Sequence, residues 1–184
     1  MASVLTQIQP FRTSSGNTCP VILKGREGID YIVKKFKTKA SANIKMRWLV
    51  KIDGTNTDTI DVNGAGEIPL GIVIDSIENR KLMESQSGSW SYSTAFSDAS
   101  LVDVAIPICN IVVSLNLAAS NAVNEGLQLK GAASGAAALM ATTTVRDSAG
   151  TGTTAITEGI QIGKALAKTT SGTGAQIIAA ILYA

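Results

Sequence analysis

Short isoleucine-rich runs, each cut off by glycine or threonine before it could grow into a long helix, leave this chain few folds to choose from. The clearest case lies at its end. Ala155-Ile-Thr-Glu-Gly-Ile-Gln-Ile-Gly163 runs on through Lys164-Ala-Leu-Ala-Lys168 into a Gly/Ser/Thr turn at Thr169–Gly174, and Gln176–Tyr183 follows as a second apolar run. Apolar, β-branched runs of this length bounded by turn residues read as a strand, a turn and a strand.

The same pattern has two echoes upstream. Ala122–Leu129 repeats Ala155–Ile162 nearly residue for residue. At longer range, Ile68-Pro-Leu-Gly71 matches Ile160-Gln-Ile-Gly163, and Leu101–Ile108 matches the closing strand. A strand running into a Gly-containing turn precedes each, Trp48–Gly54 in one copy and Leu127–Gly131 in the other. Internal self-similarity constrains architecture before anything else does. It leaves two readings open here: one small β unit used twice, or two stretches of ordinary β meander. The division it suggests is a basic N-terminal arm with edge strands over 1–43, a β unit over 44–120 and a second β unit over 121–184. An insertion occupies 78–99 of the first unit. The expected fold class is all-β, a small β-barrel or β-tulip module with an extended N-terminal arm.

A chain of 184 residues with 45% hydrophobic content can bury a core. Only 4% of residues are aromatic, so that core has to be built from Ile, Val, Leu and Ala. The first eleven residues contain no Lys or Arg and no unbroken apolar run follows, so no signal peptide is expected. The most apolar window, Leu101–Ala119, is interrupted by Asp103, Pro107, Asn110 and Asn116 and does not suit a membrane span. Cys19 and Cys109 form no CxxC motif and are expected as unpaired structural thiols, with a disulfide between them as the alternative that sequence does not decide.

Charge is distributed unevenly. Residues 1–51 carry ten Lys/Arg against two acids, whereas residues 52–184 carry six against twelve, so a net charge of +2 conceals a bipolar chain. Such a chain favours contact with a charged partner or head-to-tail contact with a copy of itself.

Ile44–Ile52 alternates cleanly, with Ile44, Met46, Trp48, Val50 and Ile52 on one face and Lys45, Arg47 and Lys51 on the other, and predicts a strand. Within the insertion, Trp90, Tyr92 and Phe96 stand among serines at strand spacing and predict an aromatic-lined hairpin, suited to a neighbouring subunit or to a sugar face. Gly131–Thr144, rich in Ala, Gly, Ser and Thr, is ambiguous: its run of alanines favours a helix, whereas Gly135 and the threonines weaken that reading.

Chemistry is scarce. The sequence contains no histidine, which removes the commonest general base and metal ligand and with them any Ser-His-Asp or Cys-His arrangement. Gly150–Ala155 nominally fits G-x-G-x-x-A but neither follows a strand nor opens a helix. Asp53, Asp58, Asp61 and Glu67, helped by Asn56 and Asn63, could supply oxygens to a cation, although their spacing is not that of an EF-hand and a plain polar turn is the alternative. Glu125 and Glu158 each precede a glycine and fit turns better than paired catalytic carboxylates. Lys34, Lys35, Lys37, Lys39, Lys45, Arg47 and Lys51, interleaved with Tyr31, Phe36 and Trp48, fit a protein-binding face; nucleic acid is the weaker reading.

Three stretches carry a family resemblance: Glu125–Gly131, Ile160-Gln-Ile-Gly-Lys-Ala-Leu166 and Gln176–Tyr183. Together they resemble the capsid decoration (cement) proteins of tailed phages and related prokaryotic viruses, over about the last sixty residues and weakly over 45–108. The resemblance implies a small barrel on the outer capsid surface, often trimeric, made in the host cytoplasm, with an N-terminal arm that augments coat subunits' sheets. The doubled unit and the aromatic insertion depart from that pattern, and two units in one chain would stand in for separate subunits.

The expected function is therefore a non-enzymatic virion protein that binds an assembled capsid lattice and stabilises it, without cofactor or metal. Its partners would be the major capsid protein and copies of itself. Phe11, Arg12, Lys34, Lys35, Lys37 and Lys39 are the expected capsid contacts, and Trp90, Tyr92 and Phe96 the expected adhesion or subunit contacts. The rivals are a self-assembling coat or tube subunit and a glycan- or host-surface-binding adhesion module.

Overall fold

The computed structural model describes residues 20–89, 91–118, 123–140, 142–146, 153–157, 160–169 and 176–184. The chain is almost entirely β. A short strand β1 (Ile22–Lys24) is followed by β2 (Tyr31–Thr38), β3 (Leu49–Ile52), β4 (Thr59–Val62), β5 (Gly71–Val73) and β6 (Leu101–Pro107). These five, β2 to β6, close into a ring in the order β2-β4-β3-β5-β6. After them come β7 (Ile111–Leu117), β8 (Gln128–Gly131), β9 (Ala137–Leu139), β10 (Thr142–Arg146), β11 (Thr153–Thr157), β12 (Gln161–Ala165) and β13 (Gln176–Leu182). Pairings β7–β13, β13–β12, β12–β8, β8–β9 and β9–β7 close a second five-stranded ring, with β1 added on the outer side of β7.

The two rings are the same barrel, strand for strand. Each contains one parallel contact, β2 with β4 and β7 with β9, and is otherwise antiparallel. The registers agree as well. Val50 lies opposite Gly71 and Val62 in the first ring, and Leu129 opposite Gly163 and Leu139 in the second. Irregular hydrogen bonds recur donor for donor. Arg47 N donates to Val73 O as Gly126 N does to Ala165 O, at 2.9 and 2.8 Å. Asn63 N donates to Leu49 O as Met140 N does to Gln128 O, and Lys39 N to Ile60 O as Ala118 N does to Ala137 O. Of the two readings left open by the sequence, the structure takes duplication. The first ring runs from 31 to 107 and the second from 111 to 182, so Tyr31–Thr38 and Ile111–Leu117 are equivalent opening strands. Ala122–Leu129 and Ala155–Ile162, by contrast, lead into β8 and β12, which are neighbours inside one ring and not duplicates of each other.

Side chains follow from this closure. Phe36, Val50, Ile60, Val73, Val102 and Val104 alternate inward in the first barrel, and Ile111, Val113, Leu115, Leu129, Ile178 and Ala180 in the second. Each fully buried aliphatic chain contributes about 1.5–3 kcal/mol. The narrow ring also sets the repeated glycine. A Cβ on Gly71 would lie 2.2 Å from Ala105 O, and one on Gly163 2.0 Å from Ile181 O. Any side chain there would displace a barrel strand.

The two copies differ in their insertions. Between β5 and β6 the first copy carries a helix, α1 (Ile77–Ser87), followed by the loop to residue 100; between β9 and β12 the second carries the β10–β11 hairpin. The expected aromatic hairpin at 78–99 is thus replaced by helix and loop. Ser76 caps α1 by accepting from Asn79 N at 3.1 Å, and Gly88 ends it at φ 67°. That signature, a serine followed by good helix formers and a closing glycine, outweighs the serine–aromatic alternation behind it.

The predicted strand at Ile44–Ile52 shortens to Leu49–Ile52, because Arg47 adopts φ 66° so that its N–H can reach Val73 O. The alternation breaks with it: Arg47 is 1% exposed and on no outer face. In the ambiguous Gly131–Thr144 stretch, a single 3-10 turn at Ala133–Gly135 separates β8 from β9, with Ser134 and Gly135 both at positive φ.

Gly71→Ala and Gly163→Ala should each destabilise the protein by about 1–3 kcal/mol through overpacking. Gly126→Ala, with nothing within 4 Å of its Cβ, should cost only the left-handed backbone term of about 1–2 kcal/mol. Urea unfolding of the three variants checks both the ranking and the equivalence of the first two.

Candidate docking surface

The lysines singled out in the sequence lie on and just after β2, and the fold sorts them into two kinds. Lys35, Lys37 and Lys39 sit at alternate positions on the outer face and are all paired. Lys35 Nζ donates to Asp103 Oδ1 at 2.8 Å and also meets Glu78. Lys37 lies 3.4 Å from Asp58. Lys39 bridges Asp53 at 3.0 Å and Asp61 at 2.7 Å. Lys51 pairs with Glu67 at 2.6 Å. The bipolar charge of the sequence is therefore largely spent within the molecule, where the basic β2 region meets carboxylates of β4, β6 and their flanking loops.

Lys34 is different. Its ammonium lies 5.1 Å from the Phe36 ring centroid, and the side chain is exposed and makes no ion pair among the described residues. Exposed apolar side chains lie on the same strand and beside its start: Ile32 on β2, Ile29 in the preceding turn, and Ile108, whose N–H donates to Asp30 O. Phe11 and Arg12 lie outside the described residues.

The same carboxylates answer the cation question. Asp53, Asp58, Asp61 and Glu67 each take a lysine, and no cluster of three metal-ligating side chains occurs among the described residues. Hydrogen bonds that Lys39 donates to Asp61 and then Asp53 push its pKa up to about 12, while Thr55 and Lys39 hold Asp53 below its usual value. Lys51, with the Gly64 N–H, lowers Glu67. Asp103, nearly buried, accepts from Lys35 and from Ser76 Oγ, and Asp103 N donates to Asn79 Oδ1 at 3.1 Å; this pins α1 to β6.

The aromatic group is not laid out for adhesion. Tyr92 and Phe96 are 6% and 4% exposed and belong to the core; Trp90 lies outside the described residues. The Arg47 guanidinium stacks 3.6 Å from the Tyr92 ring, and Tyr92 Oη donates to Asp75 Oδ2 at 3.1 Å. Asp75 also takes Arg80 at 2.9 Å and the Val21 N–H. Burial first, then the Asp75 charge, raises Tyr92 to about 12. These contacts latch the inserted loop to the turn at Arg47. Between the barrels runs a groove of about 500 Å³, lined by Lys45, Trp48, Tyr92, Asn116, Ser134 and Ile177. Cys109 is an exposed free thiol, whereas Cys19 lies outside the described residues. No helix among the described residues is long and apolar enough to cross a membrane.

The fold defines the class: a tandem of two closed five-stranded barrels of identical register. No family model and no curated protein matches the chain. Among solved structures it is similar to the N-terminal base of the head fiber gp8.5 of bacteriophage phi29, at 12% identity and a TM-score of 0.45, over 82% of this chain and 94% of that one. A superposition this loose supports no inference about function.

Lys39 and Tyr92 have raised folded pKa values, so their stabilisation is complete below roughly pH 10 and is lost as pH climbs through about 12. Asp53 and Glu67 are lowered, so theirs holds above the usual carboxylate range and fades on acidification. A melting-temperature profile should thus show a plateau with shoulders on both sides, and Tyr92→Phe should flatten the alkaline one. Lys35→Met should cost about 1–2 kcal/mol by orphaning Asp103, whereas Lys34→Met should stay within about 0.5 kcal/mol; chemical denaturation separates the two.

Proposed function

We propose that the protein is a non-catalytic virion component that binds the outer surface of an assembled capsid lattice and stabilises it, using geometry in place of reactivity. One observation carries this reading: the duplication repeats part of the surface as well as the core. Ile68 and Ile160 occupy the same position before the repeated glycine in the two copies, and both stand in solvent, 68% and 42% exposed. A chain that presents one apolar knob twice on closed, edge-poor barrels suits a partner that is itself periodic. Two weak contacts on one rigid body then add through effective concentration.

The resemblance to decoration proteins falls on the same elements. Glu125–Gly131 is the Gly126 turn and β8, Ile160–Leu166 contains β12, and Gln176–Tyr183 contains β13, three adjoining strands of one barrel. The coat lattice is the proposed partner, neighbouring copies the secondary one, and the capsid surface the proposed location after synthesis in the host cytoplasm. Residues 1–20 are the proposed arm. Burial of Tyr92 and Phe96 gives the adhesion reading no comparable support.

Undecorated shells mixed with purified protein and pelleted test the proposal. The wild type should co-sediment in an amount set by the number of shells. Ile68→Asp and Ile160→Asp should each reduce the bound fraction, and the pair should abolish it while melting is unchanged. Deletion of residues 1–20 should also abolish binding and leave the barrels folded. Shells or tubes formed by this chain alone would instead identify a coat subunit. Binding unaffected by both aspartates would refute the bivalent contact.

A further inference from the structure

Equivalence of the two barrels exposes a difference at their opening strands. In the second barrel the outer edge of β7 is occupied. β1 pairs antiparallel with Val112 and Val113, and Ser114 N donates to Val21 O at 2.7 Å. Matched through the repeated bond of Lys39 N to Ile60 O and Ala118 N to Ala137 O, Val112 and Ser114 correspond to Val33 and Lys35. On β2, Lys37 N donates to Asp58 O and Lys39 N to Ile60 O, on the β4 side, whereas Thr38 N donates to Ser100 O on the β6 side. Hydrogen-bonding direction alternates along a strand, so Val33 and Lys35 aim their N–H and C=O groups out of that same β4-side edge. β4 reaches β2 only at Lys37 and Thr38. Among the described residues nothing hydrogen-bonds the Val33 or Lys35 main chain at that edge.

We infer that this edge of β2, Val33–Lys35, is an acceptor for an extended strand of a partner protein, seated as β1 is seated on β7. The inference rests on the proposed function, because the partner it commits to is a segment of the coat subunit. The segment's chemistry follows from what flanks the edge. Lys34 offers an ammonium without a carboxylate, and Ile32, two positions before it on the same face, is 42% exposed. Lys35 and Lys37 beside it already have carboxylates. The complementary strand carries an acidic residue beside Lys34 and an apolar one beside Ile32, and main-chain bonds supply most of its affinity.

Among the described residues no second strand of the chain lies in this place. β1 precedes the first barrel in sequence yet covers the second, and the link into the second barrel, Ile108–Asn110, is too short to form a matching strand over the first. An open edge of this kind is a liability unless something covers it.

Amide hydrogen exchange followed by NMR tests the edge with a short synthetic peptide alternating threonine with isoleucine and glutamate. In the protein alone, the Val33 and Lys35 amides should exchange fast while Val112 and Ser114 are protected. The peptide should slow Val33 and Lys35 by about tenfold or more. Val33→Pro removes one donor without touching the β6 ladder and should abolish the effect. As a second variant, Lys34→Glu should weaken the peptide about threefold and favour a version with lysine in place of glutamate. Amides already protected without peptide, or unchanged by it, would overturn the acceptor edge.

Undecorated shells form the second arm. Protection of Val33 and Lys35 on shells that bind the protein identifies the coat as the source of the strand. Binding with both amides still fast removes that source and leaves the cement reading standing. Peptide pairing without any shell binding removes the cement reading and leaves the edge.

Discussion

Closure of each barrel around a glycine is the constraint on which the rest of the structure depends. In each ring one strand, β5 in the first and β12 in the second, comes so close to its neighbour that a carbonyl occupies the place of a Cβ. Closure in turn buries a small aliphatic core, satisfies most main-chain groups and leaves few open edges. A chain with 4% aromatics tolerates so tight a ring because valine, isoleucine, leucine and alanine fill it without large rings to accommodate.

Placing the same ring twice in one chain lets each copy be read against the other. Where the second copy uses Gly126 at positive φ, the first uses Arg47, at a backbone cost of about 1–2 kcal/mol. The arginine is retained where its guanidinium can stack on Tyr92 and hold the inserted loop, a loop the second copy lacks. The comparison likewise separates features common to both barrels, such as the exposed Ile68 and Ile160, from those particular to one, such as α1 and its anchor at Asp103.

The repeated glycine was legible in the sequence as the shared Ile-x-x-Gly of Ile68–Gly71 and Ile160–Gly163, although its cause, the carbonyl of a neighbouring strand, was not. The equivalence of Leu101–Ile108 with the last strand was legible too. Tyr31–Thr38 and Ile111–Leu117 share a register but almost no side chains, one lysine-rich and the other apolar, so no pattern could pair them. Helix α1 was legible through Ser76 and Gly88, but aromatic spacing at Tyr92 and Phe96 drew the reading toward a hairpin. The pairing of Lys35, Lys37 and Lys39 was not legible at all. Their carboxylates lie between 53 and 103, and only the closed ring brings them to β2. A basic β2 region thus became largely neutralised by the carboxylates around it, with Lys34 left without a carboxylate among the described residues.

The proposed role requires the two barrels to engage a periodic partner together. A cryo-EM reconstruction of the protein on assembled shells, at a resolution that traces strands, tests this most directly. It should show an ordered copy at each occupied site with Ile68 and Ile160 both buried against coat subunits. A map in which one barrel alone touches the shell, or in which the protein adds no ordered density, would contradict it.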